Sequence, residues 1–454
     1  MPASFKSLGL TDLILQRKGT LVFRIVLAAF AIALRLFFRR IETVNAEAVP
    51  KRGGLIFVLN HPNGLVDPAL VFVSLPRKIS FLAKSTLFRT PVISSLLRMV
   101  EALPLYRRID SGEDVDKNKL TFEACRKLLE KGGSIALFPE GVSHNSPKLL
   151  PIKTGAARIA LGAVSIESAD RSIDIQIVPV GLYYTSKTTF RSEAMLHFGE
   201  PFAVKPVVLD ADGEPSRADV RDLTGKIEEA LKKVTVNAET DAELQTARIA
   251  ESIFASSAEN EQLGEKFDFL KNYIAETGSP HDGLSHKIQD YDKKLEKYGI
   301  EAVHLSLAQF SRRFVIKQAL WQSWLLILLL PVAVAGGILH FPAYQLCKVF
   351  AFYYTHHGAD DIVSTVKVLA AMLFMPLTWL ITALVLYFVW NWQAAVISIP
   401  LAALSGYIAL YTFEELEVLR GWARAIWLFM LEKEKFFRLY VERRELQKDL
   451  KAFD

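Results

Sequence analysis

The sequence has only two cysteines, Cys125 and Cys347, among 454 residues. They lie far apart in apolar surroundings. This excludes a disulfide framework or a cysteine-built zinc site and suits a reducing compartment or the reduced face of a membrane. An excess of one charge is also lacking: 54 Lys and Arg against 49 Asp and Glu leave a net charge of +5. Nucleic acid demands basic residues clustered on one face, so no nucleic-acid partner is expected. The basic residues gather instead beside apolar runs, as at an anionic membrane surface. No secretory leader, internal repeat or low-complexity tract is legible. There is also no G-x-S-x-G turn of the kind that exposes a nucleophilic serine.

What the chain does have is apolar sequence. Hydrophobic residues make up 51% and the mean hydropathy is +0.22, high for a soluble protein. The excess concentrates after residue 318. Residues 319–341 and 368–390 are each long enough to span a bilayer, and 394–413 is a third, less apolar candidate. Trp321, Trp324, Tyr387, Trp390 and Trp392 lie near the ends of these runs, where aromatic belts form. Pro331, Pro376 and Pro400 are tolerable inside membrane helices. The basic stretch 311–318 is expected on the cytoplasmic side, yet the tail after 414 is basic too. Three full spans would separate them. A re-entrant segment, a contribution from the N-terminal segment and a departure from the charge rule all remain open.

A smaller apolar run lies at 21–40. Its uninterrupted core, Ile25 to Leu34, is too short to span. Arg24 and Arg35 stand eleven apart and share a helical face. The expectation is an amphipathic helix in the interface with its arginines toward headgroups; a tilted span and a buried core helix are the alternatives.

Between these runs the pattern is α/β. "GLIFVLN" (54–60), "ISFLAK" (79–84), "SIALFPE" (134–140) and "IQIVPVGL" (175–182) are near-continuous apolar strands, as in sheets covered on both faces. Residues 114–133 have helical periodicity closed by Gly132 and Gly133, and 153–164 form another helix. The alternation predicts a mixed, mostly parallel sheet flanked by helices, followed by a C-terminal α-helical membrane region. The division expected is 1–40 as an amphipathic or membrane-associated helix, 41–235 as the α/β domain and 236–318 as a helical linker. Residues 319–413 are the membrane region and 414–454 a basic amphipathic tail.

The chemistry starts in "LNHPNGLVDP" (59–68). Pro62, Asn63 and Gly64 are turn formers, so a buried strand ends at His61. Ligands in α/β sheets bind at such strand ends. Asp67 can fold back onto one ring nitrogen and leave the other as a base with fixed tautomer. This is two-thirds of a serine-protease triad without the serine. The hydroxyl that His61 activates therefore belongs to the substrate. A lipid-binding module without catalysis is the rival reading, and the presence of both His61 and Asp67 speaks against it. A hydrolase lacks its nucleophile.

Three further blocks follow in order: "EALPLYRRID" (101–110), "FPEGVSHNSPKLLPIKTGAARIA" (138–160) and "IVPVGLYY" (177–184). Together the four resemble the glycerolipid acyltransferases, over roughly residues 50–200. The His-x5-Asp spacing is one residue longer than the common form. It looks like the branch containing fungal-type glycerol-3-phosphate and dihydroxyacetone-phosphate acyltransferases. Glu101 stands where the family usually has Gly, and Val142 where Thr is common.

The resemblance implies an integral membrane enzyme of phospholipid synthesis. It would move an acyl group from acyl-CoA or acyl carrier protein to a phosphorylated glycerol acceptor, with its active site facing the cytoplasm. Glycerol 3-phosphate is the expected acceptor, with dihydroxyacetone phosphate as a further candidate; 1-acyl-glycerol 3-phosphate is the alternative. His61 is the general base and Asp67 orients it. Arg107 holds the acceptor phosphate, with Arg108 as understudy, because a planar guanidinium donates two hydrogen bonds at once. Glu140 bonds a glycerol hydroxyl or positions an arginine, and Gly141 permits a sharp turn. Lys153, before a helix start, adds positive potential. Pro179 shapes the pocket. No metal or bound cofactor is implied, the thioester being a co-substrate. His356 and His357, between the candidate spans, read as interfacial residues, with Asp360 and Asp361 keeping a metal site barely open, and His144 is read as a loop histidine.

Overall fold

The computed structural model describes residues 21–453, except 76, 90, 108, 111, 166–173, 256–261, 278–282, 306–311 and 356–362. The chain forms two units. One is the chain up to Asn237 together with Thr355–Val368, and the other is Ala238–Tyr354 with Leu369–Asp454.

The first unit is built on one eight-stranded sheet. Its strands are β1 (Arg40–Val44), β2 (Gly54–Leu59), β3 (Ser80–Lys84), β4 (Leu103–Leu105), β5 (Ser134–Leu137), β6 (Ile175–Tyr184), β7 (Glu193–Phe198) and β8 (Phe202–Ala203). The order is β1-β7-β6-β2-β5-β3-β4, with β8 paired to β6. Strands β6, β2, β5, β3 and β4 run parallel, while β7 and β8 are antiparallel to β6. Every residue of β2 and β5 is buried, as expected of strands covered on both faces.

Six helices belong to this unit: α1 (Leu21–Phe37), α2 (Val66–Ser74), α3 (Pro91–Met99), α4 (Asn118–Glu130), α5 (Gly155–Val164) and α6 (Arg217–Val234). Side chains alternate across a strand. Ile56, Val58, Ile135, Leu137, Ile175 and Ile177 therefore point one way, into a core with Cys125, Leu129, Ile159, Leu223 and Leu231 of α4, α5 and α6. On the opposite face Phe81 meets Phe72 of α2 at 5.0 Å, and Tyr184 meets Phe38 at 5.6 Å. Gly181 lies on the α6 side, where any Cβ would collide with the carbonyl of Val234. At the amino-terminal edge, Arg77 donates to the carbonyls of Pro50, Gly53 and Gly132, tying together the loops that enter β2 and β5.

Several expectations are refined. The helix read over 114–133 is shorter, α4, preceded by a 3₁₀ turn at Val115–Lys117 and closed by Gly132 at φ +72°. Helix α1 is apolar on two sides. Phe23, Leu27, Ala31 and Leu34 are buried, whereas Leu21, Ile25, Ile32 and Leu36 are exposed. Arg24 and Arg35 are half-buried. The stretch 85–102 carries a surface helix, α3, with Ile93 exposed.

The second unit contains α7 (Asp241–Phe254), α8 (Leu263–Thr277), α9 (Gly283–Tyr298), α10 (Arg312–Thr355), α11 (Val363–Val389), α12 (Trp392–Leu431) and α13 (Lys433–Leu450), with α10 and α11 crossing the boundary between units. Among the described residues three segments are long and apolar enough to cross a membrane: Trp324–Tyr354, Val363–Val389 and Trp392–Leu431. Within them Trp379 donates to His340 Nε2 at 2.8 Å, and His340 Nδ1 lies 2.8 Å from the carbonyl of Gly336.

The region read as a linker is folded. Tyr273, Ile288, Tyr291 and Leu295 are buried, as are Phe436, Leu439, Leu446 and Leu450 of the region read as a tail. Tyr291 donates to the carbonyl of Leu439 at 3.1 Å, and Arg443 to those of Ile253 and Ala255 at 3.2 and 2.9 Å. Two polar-looking segments thus form one helical core, each supplying half of an apolar interface.

Candidate active site

The five parallel strands place their carboxyl ends along one edge of the sheet, and the candidate site is assembled from the residues that leave those ends. His61 follows β2, Lys84 ends β3 and Arg107 follows β4. Glu140 and Gly141 follow β5, and Tyr184 ends β6.

The turn after β2 brings Asp67, in the first turn of α2, back to His61. Nδ1 of His61 lies 2.8 Å from Asp67 Oδ2. A carboxylate can only accept, so Nδ1 carries the proton and Nε2 keeps its lone pair. The Asp67 side chain is wholly enclosed, with 0% exposure, and buried charges need several partners. It has them: the backbone N–H of Asn63 donates to Oδ2 at 2.7 Å, and the phenol of Tyr184 to Oδ1 at 2.6 Å. The imidazole ring stacks on Phe138, with centroids 3.9 Å apart. The ring is thus fixed from one face and through one nitrogen. Asn60 continues the ladder with its side chain, donating to Leu182 O at 3.0 Å and accepting from Leu182 N at 2.7 Å. Inside the same turn Leu65 N–H donates to the hydroxyl of Thr365 at 3.0 Å, a residue this unit takes from late in the chain.

Glu140 does not face an open site. Its side chain is enclosed and its oxygens are occupied. Oε1 accepts from His61 N–H at 2.8 Å, and Oε2 accepts from Leu150 N–H at 2.9 Å and bonds His144 Nε2. Where a contact with a glycerol hydroxyl or an arginine is expected from the sequence, the carboxylate in this structure fastens the backbone of His61. His144 belongs to the same staple, since its own N–H donates to His61 O at 3.1 Å. Gly141 has φ +79°, the left-handed region that favours glycine, so the sharp turn is present.

Arg107 bonds Asp110 through both arms, Nε to Oδ2 at 2.9 Å and Nη2 to Oδ1 at 3.0 Å, and its Nη1 donates to the carbonyl of Gly141. Lys84 reaches the same carboxylate at 3.0 Å. The Arg107 hydrogen bond, helped by Lys84, pulls the Asp110 carboxyl down to about 2 even though burial opposes it. Lys153 is exposed; its N–H donates to Pro139 O at 2.6 Å, and its stem runs beside Gly141.

Pro179 is buried in β6 opposite Val58. Its carbonyl accepts from Gly199 just beyond β7, so its missing N–H falls in the gap between β7 and β8, where no ladder bond is lost. Arg108, His356, His357, Asp360 and Asp361 lie outside the described residues. Burial pushes the Cys125 thiol up to about 12, which removes it as a nucleophile.

Residues 40–183 match the family model described as Acyltransferase, and 269–453 match the glycerol-3-phosphate acyltransferase 2 C-terminal domain. The chain thus carries an acyltransferase domain. Among its relatives, glycerol-3-phosphate O-acyltransferase 2 of Saccharomyces cerevisiae is 28% identical over 67% of this chain and 42% of its own length. This chain thus spans less than half of that relative. An uncharacterized acyltransferase of Schizosaccharomyces pombe is 23% identical over 82% of this chain and 70% of its own. The chloroplastic 1-acyl-sn-glycerol-3-phosphate acyltransferase BAT2 of Brassica napus is 30% identical over 32% of this chain and 38% of its own. The crystal structure of the 1-acyl-sn-glycerophosphate acyltransferase of Thermotoga maritima aligns with 47% of this chain and 78% of its own, at 19% identity and TM-score 0.34.

Within the acyltransferase region, Tyr184, Lys84, Asp110 and Asn60 join the site without having been assigned roles from sequence. Tyr184 closed a quoted motif, and a polar tip ending a buried strand was the available signal. Lys84 ended a predicted strand in the same way.

Proposed function

We propose that this chain is a membrane-associated O-acyltransferase that transfers a fatty acyl group from a thioester, acyl-CoA or acyl carrier protein, to a hydroxyl of glycerol 3-phosphate. The observation that carries this is the Asp67–His61 pair, held so that Nε2 is the lone-pair nitrogen, on the same sheet edge as the cations Arg107 and Lys84. The acceptor hydroxyl attacks the thioester carbonyl while Nε2 of His61 takes its proton. The resulting tetrahedral oxyanion collapses, the C–S bond breaks, and the imidazolium returns its proton to the departing thiolate. An ester and a free thiol result, and His61 is regenerated. The negative charge of Asp67 offsets the transient imidazolium. General base catalysis of this kind contributes roughly 10²–10⁴-fold.

Glycerol 3-phosphate is favoured over a lysolipid because the match at 269–453 is to a glycerol-3-phosphate acyltransferase C-terminal domain. The chloroplastic relatives named for 1-acyl-glycerol 3-phosphate match 32% and 43% of this chain, and they support 1-acyl-glycerol 3-phosphate as the second reading. The site faces the cytoplasm, where thioester donors are made.

The test is acyl transfer by the purified chain in detergent, with palmitoyl-CoA and either acceptor, beside His61→Ala. Lysophosphatidate from the first acceptor, absent with the variant, is the expected result. Product from the lysolipid alone moves the enzyme to the second reading. No product with either acceptor, or with acyl carrier protein as donor, sinks the proposal.

A further inference from the structure

The arginine assigned to the acceptor's phosphate already holds an anion. Arg107 grips both oxygens of Asp110, at 2.9 and 3.0 Å, and Lys84 meets the same carboxylate at 3.0 Å. The Asp110 side chain is 7% exposed. Arg107 and Lys84 leave the carboxyl ends of neighbouring parallel strands, where Lys84 is paired with Leu105. Two cations from two rigid elements thus converge on one point, and a side chain from the loop after β4 fills it. A carboxylate and a phosphate ester offer a guanidinium the same two-pronged geometry.

Resting on the reading that Arg107 receives the phosphate, we propose that Asp110 is an internal stand-in for it. Asp110 occupies the anion site when the acceptor is absent and is displaced when the acceptor binds. Charge matching gives the exchange its direction. One carboxylate leaves one of the two positive charges uncompensated, whereas a phosphate monoester carries about −1.5 to −2 at neutral pH and balances both. A monoanion gains nothing by the exchange, so the stand-in also selects for dianionic phosphates. Because the site is free only while Asp110 is out of it, its affinity is lowered by the fraction of time it is filled.

The test uses the full chain in detergent and reads inorganic phosphate binding by titration calorimetry, separately from acyl transfer. Asp110→Asn is expected to bind phosphate about tenfold more tightly than the wild type. The KM for glycerol 3-phosphate should fall in proportion while that for palmitoyl-CoA stays put. Asp110→Ala, used should Asp110→Asn fail to fold, is expected to do the same, and acetate should compete with phosphate in Asp110→Ala but not in the wild type. Unchanged or weaker phosphate binding by variants that unfold cooperatively would overturn the inference and leave Asp110 as a brace for Arg107. Tighter phosphate binding in a protein that transfers nothing to glycerol 3-phosphate would instead support the anion site while sinking the proposed acceptor.

Discussion

The phenol of Tyr184 donates at 2.6 Å to Oδ1 of Asp67, the oxygen that His61 leaves free. Burial, reinforced by the negative charge of Asp67, pushes this phenol well above the ordinary tyrosine range, so it remains a donor. It touches no reacting atom. Its role is to hold the carboxylate that holds the base.

Tyr184→Phe keeps the ring and removes one of three donors to a buried charge. Hydrogen bonds to charged groups are worth about 1.5–3 kcal/mol, so a stability loss within that range is expected. Since Asp67 orients the base, kcat should fall by about tenfold with the acceptor KM within about twofold, because a misplaced base weakens the transition state and not binding. Steady-state kinetics and a denaturant midpoint check both. A wild-type kcat would mean that Asn63 N–H and His61 suffice to fix the carboxylate.

Glu140→Gln separates two roles for the Phe-Pro-Glu-Gly block. If Glu140 fastens His61 and His144, the amide's NH₂ will oppose N–H donors that now meet carboxylate oxygens. The His61 backbone then shifts, and kcat drops on the order of 10²-fold with the acceptor KM little changed. A contact with a glycerol hydroxyl would show the reverse, a raised KM with kcat largely kept. The hydrogen bonds to His61, His144 and Leu150 favour the first outcome.

The parts of the site legible in sequence are the local ones. His61 and Asp67 share a turn, so spacing and turn chemistry were enough to pair them. Tyr184 reaches Asp67 across 117 positions, and Lys84 reaches Asp110 across a parallel strand pair; periodicity carries no such information. Strands β2, β3, β5 and β6 were readable because both faces are covered and the runs are continuous. Strands β1, β4, β7 and β8 were not, being short, partly polar or at the sheet's margin. The helical core of the second unit escaped because its apolar stripes lie in two segments roughly 150 positions apart, each polar on average. Glu101 shows a departure from the family pattern acquiring a physical meaning.

Glu101 sits at φ +53°, in the left-handed region, where the family usually places Gly. A side chain there costs roughly 1 kcal/mol. Against this stands an ion pair with Lys78, but both side chains are more than half exposed and such pairs contribute about 0–1 kcal/mol. Glu101→Gly should therefore be neutral to slightly stabilising, by up to about 1 kcal/mol. Glu101→Ala, which loses the pair and keeps the strain, should be less stable than Glu101→Gly. Urea midpoints of the three proteins rank them. An Ala variant at least as stable as the Gly variant would show that the backbone at 101 is relaxed.

The Arg107–Asp110–Lys84 cluster makes its own prediction about acid. The Arg107 hydrogen bond, with Lys84 beside it, lowers the Asp110 carboxyl from 3.8 to about 2 in the folded chain. A carboxyl depressed by folding stabilises the fold above its unfolded value. That stabilisation is lost as the pH falls through the folded value. The window here runs from about pH 4 down to about 2. Asp110→Asn has no carboxylate to lose, so the wild type should be the more stable by a constant margin above pH 4, and the margin should close toward pH 2. Thermal midpoints at fixed ionic strength measure it. At neutral pH, added phosphate should narrow the same margin from the other side, since a ligand that fills the vacated anion site stabilises the variant by mass action. A margin that ignores both pH and phosphate would mean that Asp110 contributes through packing, with its charge idle.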